Sequence, residues 1–258
     1  MTAGLFAVRR RFGHIPDPAH KATGEDVGAL VGASALLPTW VTVPRPADFD
    51  DQREASCVAR ALRRAIRIAG MRQGLNLDPS ALAPYVIGRQ LEHPDLDVLP
   101  DNGSLPYRAL EALRQWGVIS RSRWPDSSDP TSPVPQDVLE AGSLSLLSGV
   151  YRVFASGADR LQQIRQALAN GHSVTFAMPV EQAFEDGPGQ GCYLGMTGTS
   201  KGSHMMLIVG YGPGYFLVDN SWGPDWNRTG SVRISEDWIA GALCSDFIVV
   251  TVAPSTLL

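Results

Sequence analysis

The chain has 258 residues, 44% of them hydrophobic, and a formal net charge of −4, enough to bury one large or two small cores without a metal or disulfide staple. Acids and bases are interspersed rather than blocked, which argues against nucleic acid or an anionic membrane as the partner. No run approaches the apolar length of a membrane span, and three cysteines are too few for a disulfide framework.

The opening MTAGLFAVRRRFGH puts a short apolar stretch ahead of its arginines, the reverse of a secretory signal, and reads as cytoplasmic. Residues 1–37 read as a loop-rich lead-in, dominated by Gly, Pro, Asp and small residues, where no chemistry is expected. From Ser56 the pattern turns helical. Ser56 is placed to cap, Val58, Ala61, Leu62, Ala65, Ile66 and Ala69 share one side, and Gly70 supplies a stop. A second helix is expected after Asp78-Pro79-Ser80, and a third over Pro106 to Trp116 with Gly117 behind it.

Past Leu146 the periodicity changes. VYRVFA, SVTFAM, HMMLIVGYG, YFLVDNSWG, SVRIS and DFIVVTVA are short β-branched or aromatic runs separated by turn residues, and only the stretch around Ala158 to Ala169 reads as helix. The pattern predicts an α+β protein: a helical lobe over 38–146, a β-rich lobe over 147–258, and a site in the cleft between them.

Cys57 falls in the first turn of its helix, where the helix N-terminus favours a thiolate. Gln52, five residues earlier, is placed to aim its amide at the carbonyl that such a thiolate would attack. Taken singly, Cys57 reads as a buried thiol, His204 as a polar residue at a strand start and Asn220 as a turn residue. Their contexts read together are more specific. His204 lies 147 positions after Cys57 and opens the strand ending Val209-Gly210-Tyr211, and sixteen positions later comes Asn220-Ser221-Trp222-Gly223.

These segments resemble the papain-like cysteine peptidases over roughly Pro38 to Pro254. The resemblance implies the family's two-lobe fold, with a helical N-terminal lobe and an antiparallel, β-barrel-like C-terminal lobe. It also implies Cys57 as nucleophile, His204 as base, Asn220 as the group that orients His204, Gln52 as oxyanion donor and Trp222 as a shield over the His–Asn bond. Asp101-Asn102-Gly103-Ser104 resembles the family's substrate-binding turn, with Ser104 replacing a glycine whose backbone pairs with an extended peptide. By the same resemblance Leu105, Pro106, Phe176 and Met205 line an apolar, rather filled subsite for the residue two before the scissile bond. Departures are Val58 for an aromatic residue, and Arg53-Glu54 in a shortened turn before Cys57.

Arg60, Arg63, Arg64 and Arg67 recur at helical spacing and are expected to form a solvated or ion-paired face. Cys192 and Cys244 fall near positions that pair in secreted members, while a reducing cytoplasm would keep them as thiols. The histidines show no metal-ligand spacing, so neither a metal nor another cofactor is expected. The leading expectation is cleavage of a peptide or amide bond through an acyl-enzyme on Cys57. Transfer of the acyl group to an amine is the alternative, suggested by the lack of a segment long enough to be an inhibitory propeptide. A silent peptide-binding module is the third reading, and oligomeric state is left open.

Overall fold

A computed structural model describes residues 12–22, 24–32, 36–143 and 146–254. The helices are α1 (Val27–Val31), α2 (Cys57–Arg72), α3 (Leu82–Glu92), α4 (Pro106–Trp116), α5 (Gln136–Leu139), α6 (Gly157–Ala169), α7 (Gln182–Glu185) and α8 (Glu236–Ala240). The strands are β1 (Glu25–Asp26), β2 (Val41–Thr42), β3 (Leu147–Arg152), β4 (Val174–Val180), β5 (Cys192–Tyr193), β6 (Gly202–Gly212), β7 (Tyr215–Asp219), β8 (Ser231–Ser235) and β9 (Ser245–Val252).

Helices come first in the chain and strands second, as the change of periodicity predicts. Helix α4 starts with Pro106 in its first turn, where the missing N–H costs nothing, and ends before Gly117 at φ +75°. The Ser80 hydroxyl accepts from the Ala83 N–H at the start of α3. The strands form one sheet in the order β1-β3-β9-β4-β6-β7-β8-β5, with β2 added alongside β6. Most neighbours are antiparallel; the short pairs β1 with β3 and β5 with β8 are parallel. The fold is α+β and papain-like. The lead-in also takes part, since β1 joins the sheet and α1 packs on α6.

Helix α2 joins two apolar cores. Val58, Leu62 and Ile66 pack with Phe176, Met206 and Ile248 of the sheet, while Ala59 packs with Leu82, Tyr85 and Val86 of α3. Sixteen residues long and buried along most of its length, α2 gives Cys57 a rigid base between the two halves. The halves are also tied by backbone. Gln52 N–H donates to Ser221 O at 2.8 Å, and Gly223 N–H donates to Asp50 O at 2.8 Å.

The arginine row on α2 is ion-paired, one of its two expected forms; Arg67 pairs with the exposed Asp48 and stays partly open to solvent, while the other three are buried. Arg60, Arg63 and Arg64 are no more than 5% exposed. Arg60 meets Asp50, Glu54 and Asp126, Arg63 meets Asp50 and Asp78, and Arg64 meets Asp219. Helical spacing reveals a shared face but not what covers it, and here the loops carrying Asp50, Asp78 and Asp126 fold over that face.

Candidate active site

The sequence Asn220-Ser221-Trp222 follows β7 directly and faces the start of β6, where His204 sits. His204 Nε2 lies 2.7 Å from Asn220 Oδ1. The same oxygen accepts the Ser221 N–H at 2.8 Å, which identifies it as the carbonyl oxygen. A carbonyl oxygen only accepts, so Nε2 carries the hydrogen and Nδ1 of the neutral ring holds the lone pair. Trp222 stacks on the imidazole with centroids 4.4 Å apart and 23° between planes. His204, Asn220 and Trp222 are all buried, so this hydrogen bond is kept out of water.

Gln52 is fixed at both ends of its amide. Its Oε1 accepts from Ser221 Oγ at 2.8 Å and its Nε2 donates to Glu54 O at 2.7 Å. The shortened turn therefore leaves Gln52 beside the Asn220 segment, with its donor turned to the local backbone. Ser56 does not cap α2 with its side chain. Its hydroxyl instead donates to Glu54 Oε1 at 2.5 Å, and the Arg60 guanidinium binds the same carboxylate oxygen. The Arg53-Glu54 departure is thus a brace: a buried carboxylate holding the turn onto the helix that presents Cys57.

Cys57 is fully buried. Burial pushes its thiol up to about 11, against the opposing effect of hydrogen bonding from the backbones of Met205 and Gly13. Met205 follows His204 on β6. Gly13 belongs to the lead-in, and here the structure corrects the expectation that this region carries nothing relevant to chemistry.

Residues 12–17 run through the cleft as a strap. Ser104 N–H donates to Gly13 O at 2.8 Å and Ile15 N–H donates to Ser104 O at 3.2 Å, a parallel bridge centred on His14. Ser104 thus uses its backbone as the resemblance implies, with the chain's own strap as partner. Gly13 must be glycine, because a Cβ there would lie 1.7 Å from Ala55 O. Gly103, at φ +108°, would place a Cβ 2.5 Å from Gly13 O. Phe12 stands edge-on to His204 and Trp222, with centroids 6.3 and 6.0 Å away. Asp17 anchors the far end, accepting from Tyr107 N–H at 2.9 Å and pairing with Arg152 at 2.6 Å.

Leu105, Pro106, Phe176 and Met205 are all buried. The His14 side chain is buried too, and its ring nitrogens have polar partners. Its Nδ1 lies 2.7 Å from Ser203 Oγ and its Nε2 lies 2.8 Å from Asp246 Oδ2. Burial would raise the Asp246 carboxyl, yet His14, Ser245 and Arg152 together hold it below the ordinary carboxylate range. His14, Ser203 and Asp246 went unmarked in the sequence. Ser203 is adjacent to His204, and that adjacency was the one signal available.

Cys57, Cys192 and Cys244 are all free thiols. Among the described residues no group of three His, Cys, Asp or Glu side chains is placed to hold a metal ion, and no helix is long and apolar enough to cross a membrane. The apolar and basic stretch over residues 5–11 lies outside the described residues.

A profile described as papain family cysteine protease matches residues 102–245, a span that includes His204 and Asn220 and begins after Cys57. Papain of Carica papaya is 28% identical over 138 residues, 52% of this chain and 36% of papain, so the matched region spans little more than a third of that relative. A cathepsin B-like protein of Giardia intestinalis is 38% identical over 149 residues, 54% of this chain and 48% of its own. Among solved structures, xylellain, a cysteine protease from Xylella fastidiosa, superposes with a TM-score of 0.78 at 23% identity, covering 95% of this chain and 98% of its own. Profile and superposition agree with the geometry of the His204, Asn220 and Trp222 cluster: the chain belongs to the papain family of cysteine proteases.

Proposed function

We propose that the protein cleaves a peptide or amide bond through a thioester on Cys57. The observation that carries this reading is the buried His204–Asn220 hydrogen bond under Trp222, on the strand packed against the helix that begins at Cys57. His204 Nδ1 takes the thiol proton, and the sulfur adds to the substrate carbonyl carbon. The C–N bond then breaks, with the proton passing from His204 to the departing amine. Water, deprotonated by His204, attacks the thioester, releasing the carboxylic acid and regenerating Cys57. Asn220 holds the ring through both steps, and the Gln52 amide turns from Glu54 O to the oxyanion once substrate displaces the strap.

With the strap in place Cys57 is covered, so the strapped form is latent. A latent form favours hydrolysis over the alternative of acyl transfer, one motive for which is the lack of a segment long enough to be an inhibitory propeptide. The reading is tested with E-64, the inhibitor bound in the bromelain structure from Ananas comosus, which superposes here with a TM-score of 0.63 at 18% identity over 84% of this chain and 100% of its own. Intact mass and peptide mapping should place one adduct on Cys57 and none on Cys192 or Cys244. Uniform slow modification of all three thiols would point to a silent binding module. Product analysis with an added amine separates hydrolysis, which gives the free acid, from transfer, which gives a new amide.

A further inference from the structure

We propose that a cavity sharing no residue with the candidate active site, enclosed by residues 42–49, the 189–191 loop and strands β7 and β8, binds a small organic anion: a carboxylate or phosphate monoester carried on an apolar body. This goes beyond the peptidase reading and does not depend on it.

Three features carry it. The first is the chemistry of the walls. The cavity holds about 670 Å³, within the range of small-ligand pockets. Val43, Phe49 and Leu217 give it apolar surface, Arg45 and Arg233 give it charge, and among the described residues no Asp, Glu or His lines it. Arg45 sets only its Nε against Asp219, at 3.1 Å, and its side chain is 25% exposed. Asp219 also pairs with Arg64 at 2.7 Å. One carboxylate thus serves two guanidinium groups, and a positive charge is left over at the cavity. Arg233 adds a second: it is exposed, lies over the Tyr215 ring at 4.9 Å and makes no ion pair among the described residues. Two guanidinium groups over an apolar surface, with too few acids to match them, suit a planar anion with a hydrophobic body.

The second is the wall's backbone. Asn227, which lines the cavity, and Arg228 after it adopt φ +49° and +67°, two consecutive non-glycine residues in the left-handed region. Such strain persists only where neighbours enforce it, and it collects at ligand clamps. Here the Asn227 amide does the enforcing: Oδ1 accepts the Gly189 N–H at 2.7 Å and Nδ2 donates to Ser231 O at 2.8 Å. The 189–191 loop is thereby fixed to β8 as the rim of the cavity.

The third is what the wall supports. Asn220 N–H donates to Gly230 O at 2.9 Å, and Ser231 Oγ donates to Asp219 Oδ1 at 2.7 Å. The Phe49 ring packs on Gly230, where a Cβ would come within 2.7 Å of it. An occupant held by Arg45, Phe49 and Ser231 therefore touches the supports of Asn220 and steadies them.

The test is calorimetric titration of the full-length protein with naphthoate and naphthyl phosphate. Naphthamide controls for the apolar body without charge, and inorganic phosphate for charge without the body. At least one naphthyl anion should bind at one site per chain, at least tenfold more tightly than either control, and the tighter of the two names the head group. Arg45→Gln and Arg233→Gln should each weaken it at least fivefold, while Arg123→Gln, an exposed arginine that does not line the cavity, should change nothing. Arg233 has no ion pair to lose, so its variant serves if the Arg45 variant does not fold. Hydrogen exchange with the bound anion should slow over residues 215–233 and stay unchanged over the strap, residues 12–17. Equal binding of naphthamide, an affinity indifferent to Arg233→Gln, or protection that falls on the strap instead would overturn the proposal.

Discussion

The carbonyl oxygen of Gly13 accepts the Ser104 N–H at 2.8 Å while the Gln52 amide donates to Glu54 O. The Gly13 carbonyl is thus engaged by the substrate-binding turn, and the Gly13 backbone also hydrogen-bonds Cys57. Held at both points, the strap is seated over the buried thiol.

Displacing the strap should expose the thiol. Gly13→Val places a side chain against Ala55 O, where even a Cβ would lie at 1.7 Å, so the strap cannot seat. Iodoacetamide labelling of Cys57 at pH 7 should rise at least tenfold over wild type, with an unchanged circular dichroism spectrum. In the wild type the buried thiol, raised to about 11, should label only in the alkaline range. Equal labelling of the two proteins at neutral pH would mean that the strap is not what shields Cys57.

Gln52→Ala should lower kcat by about 10²–10³-fold with little change in KM, because an oxyanion donor acts only when charge develops on the oxygen. The measurement belongs in the Gly13→Val background, where substrate can enter. A loss confined to KM would instead assign Gln52 to holding the Ser221 segment, with which it shares a 2.8 Å hydrogen bond.

What the sequence showed of the fold and site follows from range. Helix α4 and its Gly117 stop, and the runs that became β4, β6, β7, β8 and β9, rest on local periodicity and end signals, which survive folding here. Cys57, His204 and Asn220 were legible because each sits in a distinctive short segment. The strap was not, because Gly13 and His14 lack any local pattern, and their meaning comes from Ser104 and Asp246, 90 and more residues away. The arginine row was legible as an ion-paired face, but not as a largely buried one: periodicity reports a face, while its burial depends on distant acids.

That row carries a stability prediction. Burial works against the charge of Arg60, but Asp50, Glu54 and Asp126 together hold its guanidinium firmly protonated. Arg60→Met leaves the buried Asp50 and Glu54 carboxylates short of a partner and should cost about 3–5 kcal/mol, the usual penalty for breaking a buried pair from one side. Urea denaturation measures it, and a loss under about 1 kcal/mol would show that the brace is dispensable. Since Arg60 is buried and braces the turn before Cys57 through Glu54 and Ser56, its substitution should also shift the Cys57 labelling profile, which an exposed, screened charge would not do.

A second buried group sets the acid limb of stability. Burial, and then the neighbouring Arg72 guanidinium, push the His172 imidazole down to about 4. Arg72 Nη1 lies 2.8 Å from the His172 ring, and because arginine only donates, the ring must accept and stay neutral. The folded pKa is thus below the unfolded value of about 6.5. Between the two the unfolded chain binds the extra proton, so stability is fully present above about pH 6.5 and is lost as pH falls toward 4. The loss from this one group is up to about 3 kcal/mol. Comparing urea midpoints at pH 7 and pH 4.5 for wild type and His172→Gln should show a smaller acid-induced drop in the variant, since glutamine can accept from Arg72 and never charges. An equal drop in both proteins would place the acid sensitivity elsewhere, with the carboxylates that pair with Arg60 and Arg63 as the next groups to test.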